Sequence, residues 1–170
     1  MQRFLRPFSI LALLLCVACT AQWQFKTLNN RSVLATGTAA KSVAVKVLSA
    51  SSQDAEFLKT ALEAQLISRN AFGRVVATCM AADLCLTVRI LDVAADESKP
   101  LLSALGPGTV EAPVLIAVQV LDKNGREQLG FDLVAGRSGS SSAPPTPGKG
   151  SLTLASIAIA NSVSNRLNSR

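Results

Sequence analysis

Histidine and tyrosine are both absent from the 170 residues, and tryptophan occurs once. The first two gaps remove the commonest general base, the commonest zinc ligand and the phenolic acid from any mechanism. A Ser-His-Asp triad is therefore impossible, and although serine is plentiful no G-x-S-x-G elbow occurs. Charge is sparse as well, 16% of residues, and the basic ones are scattered instead of forming a run. With aromatics at 4%, there is no basic and aromatic surface of the kind that nucleic acids need, and nucleic-acid binding is excluded as an expectation. Nor is there a hydrophobic run of the roughly 20 residues required for a spanning helix.

Two features that suggest chemistry have plainer readings. Gly148-Lys149-Gly150-Ser151 lacks the preceding G-x-x-x-x spacing and the strand of a phosphate loop, so it reads as linker. Asp92, Asp96 and Glu97 are close enough to hold calcium in principle, but three carboxylates without loop-ligand spacing read as solvated acids at a strand end. The expectation is thus of a chain that is not an enzyme, with no catalytic residue, no metal and no cofactor.

What is present begins at the first residue. Arg3 and Arg6 precede an apolar run from Phe8 to Val17, broken only by Ser9 and closing on Ala18 and Cys19. A charged head, an apolar middle and a small-residue exit make a secretory signal. The tripeptide Cys16-Val17-Ala18 before Cys19 resembles the lipobox of bacterial lipoproteins, with Cys16 in place of the usual leucine. That resemblance implies removal of residues 1–18 and a diacylglyceryl group on Cys19. Cys16 is the weaker candidate because Leu15 precedes it. Ordinary cleavage after Ala21, and retention of the segment as an anchor, are the remaining alternatives. Thr20 after the lipidated cysteine, in place of aspartate, implies by the sorting rule of such lipoproteins an outer-membrane location facing the periplasm. The membrane partner is then held through acyl chains on Cys19.

Cysteine arithmetic fits this. Of four cysteines, Cys16 leaves with the signal and Cys19 carries lipid, so Cys79 and Cys85 remain as an even pair. Five residues separate them, Met80-Ala81-Ala82-Asp83-Leu84, in a segment that reads as a turn between extended runs. A disulfide across a hairpin end is expected in an oxidising compartment, with two buried free thiols as the alternative. Behind residue 18 no CxxC motif occurs, so catalytic disulfide exchange has no support. Without residues 1–18, fifteen basic residues face eleven acidic ones over 152 residues, a length suited to one domain.

Residues 19–41 are weakly periodic and read as a lipidated tether, with Trp23 and Phe25 placed either at headgroup level or over a core edge. Residues 42–170 carry readable periods. Val43, Val45 and Val47 share a strand face. Ser51 and Asp54 form a helix start, after which Leu58, Ala61, Leu62 and Leu66 recur at helical spacing until Asn70 and Gly73. Val75 to Cys79 and Leu84 to Leu91 are extended, the latter alternating as a strand does in an antiparallel sheet covered on one side. Asp92 to Pro113 is a long connection, Val114 to Leu121 the strongest strand, and Asn124-Gly125 a hairpin signal leading into Arg126 to Val134. Residues 136–150 are a Ser, Pro and Gly-rich flexible loop, in which Pro144-Pro145-Thr146-Pro147 reads as linker. The last helix, Leu152 to Leu167, buries Leu152, Ile159, Val163 and Leu167, with Ser151 as cap and Arg166 and Arg170 at the negative end of its dipole.

The expected class is α+β, a two-layer antiparallel sheet of about five strands packed with two helices, in the order strand-helix-strand-strand-strand-strand-helix. The run from Val114 through Leu121-Asp122-Lys123-Asn124-Gly125 to Phe131, then a Ser/Gly loop and an Ala-rich last helix, resembles small uncharacterised proteobacterial envelope lipoproteins. Their domain is similar in outline to the curli-assembly lipoprotein core and to the amino-terminal domain of the translocation protein TolB. The resemblance implies a scaffold for envelope assembly, with an envelope protein as possible partner through the exposed sheet face or the long loops. A carrier of a small apolar or lipid ligand between sheet and helices is the alternative. The oligomeric state is left open.

Overall fold

A computed structural model describes residues 22–32, 41–92, 109–138 and 148–168. Among these, six strands and two α-helices form an α+β fold: β1 (Gln22–Ser32), β2 (Ser42–Leu48), α1 (Ser52–Ser68), β3 (Arg74–Val76), β4 (Leu84–Asp92), β5 (Thr109–Asp122), β6 (Glu127–Ser138) and α2 (Lys149–Asn168). A 3₁₀ turn, Cys79–Ala81, links β3 to β4. The strands lie in one sheet in the order β1-β6-β5-β4-β2-β3.

From Ser42 onward the elements follow the expected order, and three details differ. The sheet is mixed, because β2 runs parallel to both β3 and β4 while β4, β5, β6 and β1 alternate in direction. Parallel neighbours need a long crossover, and α1 supplies it between β2 and β3. The sheet also has six strands, since the segment expected as a tether contains β1, paired with β6 from Gln22↔Ser138 to Ser32↔Leu129. Phe25 packs on the core from that strand, which places it on the core edge. Finally, β5 begins at Thr109 and β6 runs to Ser138, lengthening both strands into stretches expected as connections.

Strand alternation sends Val43 and Val45 of β2, Leu86 and Val88 of β4, Val114, Ile116, Val118 and Val120 of β5, and Leu129, Phe131 and Leu133 of β6 to one face. Against it lie Leu58, Leu62 and Leu66 of α1, spaced four apart, and Leu152, Ala155, Ile159 and Val163 of α2. The two helices also pack on each other. Ser156 is fully buried in this stripe and donates its hydroxyl to the Thr153 carbonyl at 2.7 Å, which satisfies it within the helix.

The ends of α1 follow its sequence closely. Ser51 Oγ accepts from the Asp54 N–H at 3.2 Å, satisfying an amide that the first turn leaves without a partner. At the other end Asn70 turns left-handed at φ 51°, its N–H reaching the Ile67 carbonyl and that of Ala71 the Leu66 carbonyl. This is a Schellman motif, and Leu66 and Ala71 are both buried in the core cluster. In α2 the helix starts at Lys149, three residues before the expected start, so Ser151 lies inside the first turn and is buried instead of capping.

The hairpin has a three-residue loop, Lys123-Asn124-Gly125, with only Gly125 at positive φ, 76°. Asp122 N–H donates to the Arg126 carbonyl and Gly125 N–H to the Asp122 carbonyl, both at 2.9 Å. A turn followed by one left-handed residue relieves the chain of two consecutive positive φ values.

Candidate functional site

Two surfaces gather polar side chains, and neither holds a catalytic constellation. The first is the end of the sheet where β2 and β4 start. Asp83 Oδ2 accepts from Lys41 N–H at 3.1 Å, Ser42 N–H at 2.9 Å and Ser42 Oγ at 2.8 Å, while Asp83 N–H donates back to Ser42 Oγ at 3.0 Å. The Ser42 hydroxyl holds the Asp83 carboxyl below its ordinary value; partial desolvation opposes this, and the backbone amides of Lys41 and Ser42 and the Arg74 charge add to it. Beside it, Arg74 N–H donates to the Lys41 carbonyl at 3.0 Å, and a Cβ on Gly73 would stand 3.0 Å from that same oxygen. A side chain at position 73 would crowd the strand start.

Cys79 and Cys85 are joined by a disulfide in this region, with Cα atoms 5.0 Å apart. The strands on either side are not a hairpin: β3 and β4 run in the same direction with β2 between them. The bridge therefore pins the 3₁₀ turn, which packs on β2, to the start of β4. Cys85 stands opposite Ala44, and Ala44 is fully buried on the sheet face away from the helices. Met80 next to the bridge is 99% exposed.

The second surface is that sheet face away from the helices, where the register sets out four rows. Ala44, Cys85, Leu121 and Glu127 form the first, and Lys46, Thr87, Gln119 and Gly130 the second. Leu48, Arg89, Ala117, Asp132 and Leu28 form the third, and Leu91, Leu115, Val134 and Lys26 the fourth. Lys46 and Arg89 are exposed and give the β2–β4 half positive charge. The β6 half carries Asp132 and Glu127, each tied to β1. Asn29, left-handed at φ 46° where the β1 register shifts, donates to Asp132 Oδ2 at 3.0 Å. Glu127 lies 3.6 Å from Arg31 and accepts from Gln119 Nε2 at 3.0 Å. Its carboxylate crosses Gly130, where a Cβ would fall 2.2 Å from Oε1. On the helix side of the same irregularity, Asn30 accepts from Arg166 of α2, whose guanidinium sits 5.0 Å from the Phe131 ring centre. One bulge thus addresses both layers of the fold.

Asp122 is the fourth organised acid. Its Oδ1 accepts from Asn124 and Arg126 N–H at 2.8 and 2.9 Å, and its Oδ2 from Gln128 at 3.1 Å. The Arg126 amide leads in holding its carboxyl below the ordinary value, against partial desolvation, with the Asn124 amide, the Arg126 charge and the Gln128 side chain adding to it.

Of the residues singled out by sequence, Cys19, Asp96, Glu97 and Pro144 to Pro147 lie outside the described residues, and Asp92 closes β4. Gly148 precedes α2, and Lys149-Gly150-Ser151 form its first turn. Among the described residues no group of three or more Cys, Asp or Glu side chains could hold a metal ion, and no helix is long and apolar enough to cross a membrane. Sequence reasoning missed Asp83 and the Glu127–Gly130–Arg31 arrangement. The only local trace of the former is an acid immediately before a strand, and of the latter a glycine inside one.

No family model and no curated protein matches the chain. Among solved structures, the PelC dodecamer of Paraburkholderia phytofirmans is similar at 12% identity and a TM-score of 0.45, covering 84% of this chain and 97% of that one. Protein XCC0632 of Xanthomonas campestris, assigned to family model DUF330, matches at 13% identity and a TM-score of 0.45, over 78% of this chain and 89% of that one. A protein described as a lipoprotein from Caulobacter crescentus matches at 18% identity and a TM-score of 0.39, over 74% and 88%. At these values the likeness is one of outline, and no residue role passes from it to this chain.

Proposed function

We propose that this chain is a non-catalytic bacterial envelope lipoprotein, anchored to the outer membrane by acyl chains on Cys19, whose periplasmic domain engages another envelope component. The Cys79–Cys85 bridge is the observation that carries the reading. Disulfides persist in exported proteins, and with this pair joined the thiol of Cys19 is the only one left behind the signal to be modified. Among the described residues no acid and base pair comes into reach of a common substrate. The domain offers instead a sheet face on which Lys46 and Arg89 make one half positive, while on the other half Asp132 and Glu127 stand beside Lys26 and Arg31.

Such a face suits a protein partner of complementary charge. The layer between sheet and helices, where a small apolar ligand would have to sit, is occupied by one continuous cluster of side chains including Phe131, Leu58, Leu62 and Ile159, which favours the binding module over the carrier. Crosslinking of intact membranes followed by purification through the acylated chain tests this. A defined partner is expected with the native chain and is lost with the double change Lys46→Glu and Arg89→Glu. Recovery of bulk lipoproteins alone, unchanged by those substitutions, contradicts it.

A further inference from the structure

We infer that one end of the sheet, formed by the start of β1, the end of β6 and the start of β5, rests against the lipid bilayer, so that the opposite end projects away from it. This rests on the lipoprotein reading above and adds the surface and the orientation. Reach decides the placement. Cys19 stands three residues before Gln22, where β1 begins, and three residues span at most about 11 Å even when fully extended. No longer stretch of chain separates the acylated sulfur from the sheet.

Register then says what accompanies Gln22. It pairs with Ser138, the last residue of β6, and Ser138 pairs in turn with Thr109, the first residue of β5. Asp92, the last residue of β4, pairs with Val114, so β5 runs five residues past β4 at this end. A three-stranded corner therefore overhangs the rest of the sheet on the side of the anchor. Because β6 is paired along its length on both sides, the corner cannot swing away from the membrane without the sheet moving as a body.

The same directions place the hairpin loop Lys123-Asn124-Gly125 at the far end. Eleven residue steps of β6 separate Ser138 from Glu127, or about 36 Å at the rise of a strand. The Asp83–Ser42 link, the disulfide and the exposed Met80 lie at this far end too, since Leu84 pairs with Asp122. The bilayer takes the overhanging corner, and soluble partners meet the other end.

The test uses the full acylated chain in phosphatidylethanolamine vesicles with a minority of phosphatidylglycerol and a headgroup-linked energy acceptor. With Cys79 and Cys85 bridged and Cys19 acylated, a donor on Gln24→Cys or Asn124→Cys is uniquely placed. Both positions are exposed. Transfer is expected to be nearly complete from position 24 and several-fold weaker from position 124. A long Gly-Ser insert after Ala21 is expected to weaken transfer from position 24. Quenching of Trp23, the one tryptophan of the chain, by lipids brominated near the headgroup provides the same reading without a label. Equal transfer from both positions in a chain whose mass confirms acylation overturns the orientation and leaves the lipoprotein reading intact. A mass without acyl groups overturns both.

Discussion

Asp83 closes the start of β2 through Ser42: the carboxylate accepts both the amide and the hydroxyl of Ser42, at 2.9 and 2.8 Å, and the Asp83 amide donates to the same hydroxyl at 3.0 Å. Ser42 is almost fully buried. The two residues stand 41 positions apart, so this pair closes a loop that contains all of α1 and β3.

Acid should therefore weaken the fold in a particular window. The carboxyls of Asp83 and Asp122 are both held below the ordinary 3.8, Asp83 chiefly by the Ser42 hydroxyl and Asp122 chiefly by the Arg126 amide. The unfolded chain then binds protons more readily than the folded one, so their contribution is whole above pH 3.8 and is lost as pH falls below it, through the folded-state values. Thermal unfolding followed by circular dichroism across that range should show a falling midpoint, with a shallower fall in Asp83→Asn. Identical acid profiles for the native chain and Asp83→Asn would contradict the role given to this pair. Ser42→Ala and Asp83→Ala should also be non-additive, because each removes the same contacts.

The bridge between Cys79 and Cys85, six positions apart, closes a short loop. Loop-closure entropy for such a length is worth about 2 kcal/mol. Cys85→Ser paired with Cys79→Ser should lose about that much in urea unfolding, and the denatured, unreduced native protein should present no titratable thiol from either position. Two reactive thiols would show that the pair is open.

The two glycines of the hairpin arm separate conformational strain from crowding. Gly125 is left-handed and a Cβ there would meet no atom within 4 Å, whereas a Cβ at Gly130 would fall 2.2 Å from Glu127 Oε1. Crowding alone ranks Gly130→Ala as the worse change. The flexibility of the crowding group reverses that order: Gly125→Ala costs about 1 kcal/mol in backbone strain that nothing can relieve. At Gly130 the flexible Glu127 carboxylate moves aside and gives up only an exposed ion pair and one hydrogen bond, worth less than about 1 kcal/mol. Urea midpoints should place Gly125→Ala below Gly130→Ala, and Gly130→Ala combined with Glu127→Ala should add little to Glu127→Ala alone.

The helices and most strands can be read from the chain because their signals are local. Leu58, Leu62 and Leu66 recur at one helical face, Ser51 sits where a cap belongs, and Asn70 stands at the left-handed stop. Strand direction has no such signal. The alternation of Leu84, Leu86 and Val88 reports which side is buried and is the same for parallel and antiparallel neighbours, so the pairing of β2 with β3 and β4 is visible only in the topology. Gln22-Trp23-Gln24-Phe25-Lys26 does alternate, but its closeness to Cys19 makes a linker the nearer reading. In the hairpin, Asn124-Gly125 marks the turn, while the loop length depends on Asp122 gripping the amides of Asn124 and Arg126. The candidate surfaces are least legible, since Asp83 with Ser42 and Arg31 with Glu127 are contacts between residues far apart in sequence.

The acyl group on Cys19 is the claim on which the functional account rests. Metabolic labelling with a palmitate analogue, followed by the intact mass of the purified membrane-bound chain and of its Cys19→Ala counterpart, addresses it directly. A labelled native chain that begins at Cys19 and carries the mass of its acyl chains is expected, together with an unlabelled Cys19→Ala chain. A native product with the mass of an unmodified polypeptide would contradict it.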